Sequence, residues 1–285
     1  MIAQNFEYTA PANLTEALKL LDGGEAKALA GGMSLIPLMK LRLATPEQLV
    51  DIGRIAGLNY IRQDKNVIRI GATTTHYEIE SSALLRVSCP LLAETASYIG
   101  DIQVRNRGTI GGSVAHADPA ADYPAALLAL EARAVLVSTK AEREIAIEDF
   151  FVDTFTTALE PGELVREVIV PVEDQSTGTS YQKVMQPASG FAIVGIAARI
   201  RKSGGKIDFA RVGVTGLAGK PYRAKNVEQA LEGTSGSPAD IQKAAALVAD
   251  GIDANSDLHA SADYRKHLAR VYTGRALAAA SSRTA

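Results

Sequence analysis

The chain has 285 residues, of which 47% are hydrophobic, so it is long and apolar enough to bury the core of one large or two medium domains. Its 30 basic and 32 acidic residues leave a net charge of −2, which gives no indication of a nucleic acid or an anionic membrane as a partner. No apolar run reaches the ~18 to 20 residues that span a bilayer, and the N-terminus lacks the basic-then-apolar order of a signal peptide, which predicts a cytoplasmic protein.

The sequence contains one cysteine, Cys89, and four histidines. A single thiol forms no internal disulfide and does not supply the several thiolates of an iron–sulfur cluster. The histidines, at positions 76, 116, 259 and 267, have no metal-ligand spacing. We therefore expect no metal in this chain, and we interpret Cys89, between Ser88 and Pro90, as a packing residue.

The first predicted unit, about residues 1–54, alternates helices and strands. Asn13 followed by Glu16 has the pattern of a capping box at a helix start. The predicted elements are a helix over residues 13–23, a strand over 26–30, a helix over 34–43 and a strand over 49–52. A glycine pair, Gly31 and Gly32, joins the first strand to the second helix. This alternation is typical of a small α/β unit.

A second predicted unit covers about residues 55–174. Its helices are predicted over residues 73–79, 90–99 and 124–132, and its strands over 67–71, 134–138, 144–147 and 164–171. Together, residues 1–174 are interpreted as one domain with two parts.

Within this unit, residues 109–122 are rich in small side chains and contain a second glycine pair, Gly111 and Gly112. Glycines permit positive φ and leave backbone N–H groups free to converge on an anion. Asp118 before Pro119, and Asp122 ahead of Pro124, have the pattern of a helix start. An ordinary glycine turn before a capped helix is the alternative interpretation.

The two glycine stretches share one order: an apolar segment, two glycines, a hydroxyl side chain and a helix start. Neither is the G-x-G-x-x-G of a Rossmann fold or the Gly-Lys-Ser/Thr of a P-loop. The pattern favours a pyrophosphate held between two loops. The predicted donors are the amides of Gly31, Gly32, Met33, Ser34, Ile110, Gly111, Gly112 and Ser113, with the hydroxyls of Ser34 and Thr109.

The pattern changes at residues 173–179, a polar, turn-rich segment that predicts a domain boundary. Residues 175–285 are then interpreted as a second domain. Antiparallel strands are predicted over residues 181–185, 192–201 and 206–215, with a hairpin turn at 203–205. Three helices complete the chain, one capped by Ser237 with Asp240 and the last one by Ser261.

A family resemblance rests on these motifs. Residues 30–35 (Ala-Gly-Gly-Met-Ser-Leu), with residues 40–44 and 49–52, resemble the first FAD motif of the medium, flavin-carrying subunit of the molybdenum hydroxylases. Residues 101–112 resemble the second motif, and the similarity continues through residues 187–192 to the end of the chain. The family includes aerobic carbon monoxide dehydrogenase and the bacterial xanthine, nicotine and quinoline dehydrogenases.

The resemblance implies an α+β fold, with a two-part FAD-binding domain of the vanillyl-alcohol-oxidase type followed by a smaller domain of antiparallel sheet and helices. It also implies the residues that bind FAD, which are Ala30, Gly31, Gly32, Met33, Ser34, Leu35, Thr109, Ile110, Gly111, Gly112, Ser113, Asp122, Lys183 and Phe191. The chain departs from the family at Met33, where His or Gln is common, at Ser113, where Asn is frequent, and at Phe191, where Tyr is usual.

Several of these residues also have simpler interpretations. Asp122 matches an aspartate near the cofactor, although its position is also that of a helix cap. Lys183 matches a lysine near the flavin, where a cation would raise the potential of the ring, but it is equally an ordinary solvated lysine. His116, Arg105 and Arg107 are weaker candidates, the arginines for phosphate binding or partner docking.

The implied function is an electron-transfer subunit. Molybdopterin and 2Fe–2S clusters are expected only on partners, a small iron–sulfur subunit and a large molybdopterin subunit, in a dimer of heterotrimers. The single cysteine excludes the branch of benzoyl-CoA-type reductases, which carry a cysteine-rich insert here. Two alternatives stay open: a free-standing FAD oxidoreductase, for which we find no catalytic base beside the motifs, and a flavin-free scaffold.

Overall fold

The computed structural model describes residues 2–284. The N-terminal unit contains β1 (Glu7–Thr9), α1 (Leu14–Leu21), β2 (Ala26–Leu29), α2 (Leu35–Lys40) and β3 (Gln48–Asp51). Its strands form a parallel sheet in the order β1-β3-β2, so β2 lies at an edge. The predicted cap of α1 is confirmed, since the Glu16 N–H donates to Asn13 Oδ1 at 3.0 Å. Strand β1 was not predicted because its three residues show no apolar alternation.

The second unit is built on an antiparallel sheet in the order β4-β5-β10-β6-β7. Its strands are β4 (Ile61–Asp64), β5 (Val67–Gly71), β6 (Arg133–Val137), β7 (Glu142–Ala146), β8 (Phe151–Asp153), β9 (Thr156–Thr157) and β10 (Leu164–Pro171), of which β8 and β9 form a separate hairpin. Its helices are α3 (His76–Ser81), α4 (Ala83–Ser88), α5 (Pro90–Ser97), α6 (Ile102–Arg105), α7 (Ile110–His116), α8 (Tyr123–Ala129) and α9 (Ile147–Phe150). Cys89 is fully buried in the core of this unit, between α4 and α5.

The second glycine stretch differs from its prediction as a loop. Gly111 and Gly112 lie in the first turn of α7, and neither has a positive φ. A Cβ on Gly111 would lie 2.5 Å from Ala72 Cβ, so glycine is needed there for close packing against the segment after β5. Asp118 and Pro119 form a turn and not a helix start, because Asp118 Oδ1 accepts the Ala120 N–H at 2.8 Å.

The C-terminal domain is a four-stranded antiparallel sheet in the order β11-β12-β13-β14, packed against helices. Its elements are β11 (Thr177–Met185), β12 (Ala192–Ser203), β13 (Lys206–Thr215), β14 (Tyr222–Arg223), α10 (Lys225–Leu231), α11 (Pro238–Ala246) and α12 (Ala262–Ser282). The predicted capping box of Ser237 and Asp240 is confirmed, and Ser261 caps α12. Within residues 2–284, no helix is both long enough and apolar enough to cross a membrane.

Helix α8 joins the two domains. It packs on β12 and β13, and a Cβ on Gly213 of β13 would lie only 1.9 Å from the Ala125 carbonyl oxygen of α8. Tyr181 and Ala197, from β11 and β12, belong to the same apolar core as α8. The contact places residues 118–122, which precede α8, beside the start of β12.

Candidate functional site

A cavity of about 850 Å³ opens between the N-terminal unit, the second unit and a loop of the C-terminal domain. Its volume is in the range of cofactor sites. The predicted site residues that line it are Ala30, Gly31, Gly32, Met33, Ser34, Leu35, Thr109, Gly111, Gly112, Ser113, Asp122 and Phe191. Two predicted residues, Ile110 and Lys183, do not line it: Ile110 is fully buried in the core, and Lys183 lies behind Asp122.

The first glycine loop forms one wall and presents unpaired donors. In the part of the chain that the structure describes, the N–H groups of residues 31–35 donate to no other protein group. Gly32 has a φ of +75°, a left-handed conformation that glycine adopts without strain, and residues 31–35 all line the cavity. Such a concave run of backbone N–H groups is an anion-binding arrangement. This segment therefore fits the predicted phosphate-binding role.

The two glycine segments meet at Gly31, where the absence of a side chain allows close contact. A Cβ at this position would lie 2.0 Å from the Arg107 carbonyl oxygen and 2.9 Å from Gly108 Cα. The first loop therefore rests directly on the backbone that leads into α7, and any larger residue at position 31 would separate the two segments. Arg107 contributes its backbone to this contact, and neither Arg105 nor Arg107 lines the cavity.

The second segment does not supply the predicted amides. The Ile110 N–H donates to the Thr74 carbonyl oxygen at 3.1 Å, and the Gly111 N–H donates to that of Ala72 at 2.9 Å. The Gly112 N–H donates to Thr109 Oγ1 at 3.1 Å, and the Ser113 N–H donates to the Thr109 carbonyl oxygen at 3.0 Å. The prediction of free amides here was wrong, because these groups complete the packing and the first turn of α7. The segment lines the cavity with Thr109, Ser113 and Gly112, of which the first two have a hydroxyl group.

Asp122 and Lys183 form a buried ion pair beside the cavity. Lys183 Nζ lies 2.9 Å from Asp122 Oδ2, and it also donates to the Tyr98 carbonyl oxygen at 3.0 Å. The Tyr181 hydroxyl donates to Asp122 Oδ1 at 2.5 Å. The interpretation of Lys183 as a solvated lysine was wrong, because its side chain is fully buried. Asp122 does occupy the N-cap position of α8, but its side chain makes no capping bond to the helix. Burial raises the pKa of Asp122 to about 6, although the Lys183 ammonium opposes this shift.

Phe191 closes the cavity from the C-terminal domain. It ends the loop of residues 186–191 between β11 and β12, and its carbonyl oxygen accepts the Gln186 N–H at 2.8 Å. The next residue ties the loop to the other domain, since the Ala192 N–H donates to the Ala120 carbonyl oxygen at 3.1 Å. The Phe191 side chain is 39% exposed and faces the cavity. An aromatic ring there can stack on a planar ligand.

Among the lining residues that were not predicted as site residues, His76 and Phe155 have aromatic rings. His76 is 5% exposed, and burial lowers its pKa to about 4, so its imidazole is neutral at pH 7. Phe155 sits at the tip of the β8–β9 hairpin against His116, which was a weak candidate and also lines the cavity. No spacing or motif marks either residue, because the turns that bring them to the cavity are set by distant contacts.

These features together fit a flavin dinucleotide. The run of N–H groups and the two hydroxyls match a pyrophosphate, which carries negative charge. The buried carboxylate and the aromatic side chain match the polar edge and the flat face of a ring system.

Comparison with known proteins indicates the same cofactor. Residues 4–173 match the family model of the FAD binding domain in molybdopterin dehydrogenase, and residues 179–280 match that of the CO dehydrogenase flavoprotein C-terminal domain. The chain is 40% identical to the carbon monoxide dehydrogenase medium chain of Hydrogenophaga pseudoflava over 100% of both chains. It is 38% identical to the glyceraldehyde dehydrogenase medium chain of Sulfolobus acidocaldarius, over 97% of this chain and 98% of that protein. Its structure matches a chain of the Hydrogenophaga pseudoflava carbon monoxide dehydrogenase with a TM-score of 0.97 and 42% identity, over 100% of both chains.

Proposed function

We propose that this chain, which belongs to the family of FAD-binding subunits of molybdopterin dehydrogenases, holds FAD in the cavity between its two glycine segments and passes electrons through it. The observation that carries the assignment of residues is the run of unpaired N–H groups over residues 31–35 at the wall of this cavity. Thr109 and Ser113, whose hydroxyls can donate to a phosphate, line the same space. We assign the pyrophosphate to these groups.

The flavin end is assigned to Asp122 and Phe191. Asp122 is held in place by Lys183 and Tyr181, so its carboxylate is fixed before a ligand arrives. Lys183 acts as a positioning residue, and its positive charge lies one side chain behind the cavity wall. The Phe191 ring excludes water from one side of the site.

FAD supplies the exchange between one-electron centres and two-electron acceptors. The chain has a single cysteine, so the centres that deliver electrons are assigned to another subunit. The relatives are named as medium chains, which supports a complex with a small iron–sulfur subunit and a large molybdopterin subunit. Relatives named for carbon monoxide and for glyceraldehyde align over nearly the whole chain, which supports substrate choice on a partner. The two-fold doubling of the complex and its cytoplasmic location stay predictions.

The test compares the isolated chain with the assembled complex. The FAD-loaded chain is mixed with the substrate that the complex oxidises, alone and then with the two partner subunits, and the flavin absorbance is followed. We expect the flavin to be reduced only when all three subunits are present. Reduction by the isolated chain would show a free-standing oxidoreductase, and a chain that takes up no FAD would show a scaffold.

A further inference from the structure

The β8–β9 hairpin presents an aromatic side chain to the cavity at an unusual backbone position. Phe155, at its two-residue tip, has a φ of +51° and is 55% exposed. Left-handed backbone is unfavourable for a bulky residue, and a large apolar side chain that is more than half exposed gains little from burial. A glycine would fit the same turn without strain. The conformation is therefore one that the surrounding contacts impose.

The hairpin is fastened to the C-terminal domain on its outer side. The Thr154 hydroxyl donates to the Gly219 carbonyl oxygen at 2.8 Å, and Lys220 Nζ donates to that of Val152 at 3.1 Å. A Cβ on Gly219 would lie 2.8 Å from Thr154 Oγ1, so the approach is close. The Thr156 hydroxyl donates to the Thr154 carbonyl oxygen at 3.0 Å and fixes the tip itself. These bonds hold the tip in place and aim Phe155 at the cavity.

The ring faces His116, at the last residue of α7. The two ring centroids are 5.2 Å apart at an angle of 45°, and both side chains line the cavity. Burial lowers the pKa of His116, so the imidazole is a flat neutral surface at pH 7. The pair lies at the end of α7 opposite to the glycine loop and next to the turn of residues 118–121, which is bonded to the start of β12 beside Phe191. That end of the cavity is the one assigned above to the flavin ring.

We propose that Phe155 is a flavin-covering residue, whose ring packs on the isoalloxazine of bound FAD from the hairpin side while Phe191 closes the site from the C-terminal domain. This inference rests on the proposed FAD site. In the bound state the isoalloxazine ring would cover the Phe155 side chain, which is exposed without it, and this burial would offset the backbone strain of the tip. Stacking of two aromatic systems adds to affinity beyond simple burial, by an amount that corresponds to about a three- to tenfold change in Kd.

The test uses the full-length chain freed of FAD. Phe155→Leu removes the ring and keeps apolar bulk, Phe155→Gly also removes the backbone strain, and Val152→Ala is the matched control, since Val152 is 49% exposed on the same hairpin but does not line the cavity. FAD and ADP are titrated separately, and the thermal midpoint of each FAD-free protein is measured. We expect both Phe155 variants to weaken FAD binding about three- to tenfold and to leave ADP binding unchanged, because ADP lacks the flavin.

The thermal midpoint separates a role in binding from a role in folding. Phe155→Gly should have a midpoint equal to or above that of the wild type, because it removes strain, while its FAD affinity falls. Wild-type affinity for FAD in both Phe155 variants, equal losses for FAD and ADP, or a midpoint of Phe155→Gly well below the wild type would each overturn the inference. A wild-type chain that binds no FAD would instead overturn the proposed function.

Discussion

If the first glycine loop binds the pyrophosphate, adding a single methyl group to it, as in Gly32→Ala, should weaken FAD binding. Gly32 has a φ of +75°, and a Cβ there would meet only the flexible ends of Ile36 and Leu29, at 2.6 and 3.3 Å. The change Gly32→Ala is therefore tolerated sterically but places a non-glycine residue in left-handed backbone, at a cost of about 1–2 kcal/mol. Gly57 is the matched control, with a φ of +86°, no atom within 4 Å of its Cβ position and no part in the cavity wall.

The two variants separate strain from ligand binding. Both should lower the free energy of unfolding by about 1–2 kcal/mol, because both carry the same backbone strain. Only Gly32→Ala should weaken FAD binding, since the shift of the loop that accommodates the new Cβ also moves the neighbouring N–H groups relative to the phosphate. Loss of one charge-assisted hydrogen bond is worth about 1.5–3 kcal/mol, or about a 10- to 150-fold rise in Kd.

The assay is a titration of the FAD-free proteins with FAD, followed by flavin fluorescence, together with urea unfolding of the same samples. The branched change Gly32→Val, with more strain and more bulk, should leave no FAD bound after purification. Equal FAD affinity in Gly32→Ala and Gly57→Ala would refute the assignment of the phosphates to this loop.

Two further predictions concern buried titratable groups. Lys183→Met leaves the Asp122 carboxylate buried without its cation, so we expect the free energy of unfolding at pH 7 to fall by about 3–5 kcal/mol. Urea unfolding should show a smaller loss in the double variant Lys183→Met/Asp122→Asn, which has no unpaired buried charge. Equal losses in the two variants would contradict a buried ion pair. Burial lowers the pKa of His76 from 6.5 to about 4, so between these values the unfolded chain binds the proton and the folded chain does not. As the pH falls through this window, the free energy of unfolding of the wild type should therefore decrease by about 3 kcal/mol more than that of His76→Gln. The raised pKa of Asp122 acts in the opposite direction, but it acts in both proteins, so the comparison at each pH cancels it. Parallel pH profiles of the two proteins would contradict the buried, neutral state of His76.

Local signals predicted the capped helices well. The side chains of Asn13, Ser237 and Ser261 each accept a hydrogen bond from the N–H three residues later. Such caps depend only on residues close in sequence, so they can be predicted from it. The same holds for the first glycine loop, where the positive φ expected from a glycine pair occurs at Gly32. This loop could be predicted because two adjacent glycines are a local signal for a positive φ.

The second glycine pair shows what local signals miss. Glycine has a low helix propensity, so a Gly-Gly step predicts a loop. Helix α7 forms there because Gly111 lies against Ala72, a residue that is distant in the sequence. The same contact decides what the variant Gly111→Val would measure. At Gly111 the added side chain would meet Ala72 backbone at 2.7 to 2.9 Å, so that variant reports on folding and is not a test of FAD binding.

The environment of Lys183 depends on contacts that are distant in sequence. A lysine on an antiparallel strand is usually solvated, and nothing near it in the sequence indicates otherwise. It is buried because its partner, 61 positions earlier, arrives from the other domain with α8. Asp122 in turn gives up a capping bond to α8 to meet Lys183 and Tyr181. A charge can be buried here only because both domains contribute to its neutralisation.

The cavity is therefore a product of both domains and not of the FAD-binding domain alone. The glycine loop comes from the N-terminal unit, α7 from the second unit, and Phe191 from the C-terminal domain, while Lys183 of that domain holds Asp122 in place. A ligand that contacts all of these segments binds only when they are together, so its binding free energy adds to their association. The hydrogen bonds from Ala192 to Ala120 and from Thr154 to Gly219 cross the domain boundary beside the cavity. Any partner that shifts the C-terminal domain would for this reason also alter the environment of the flavin.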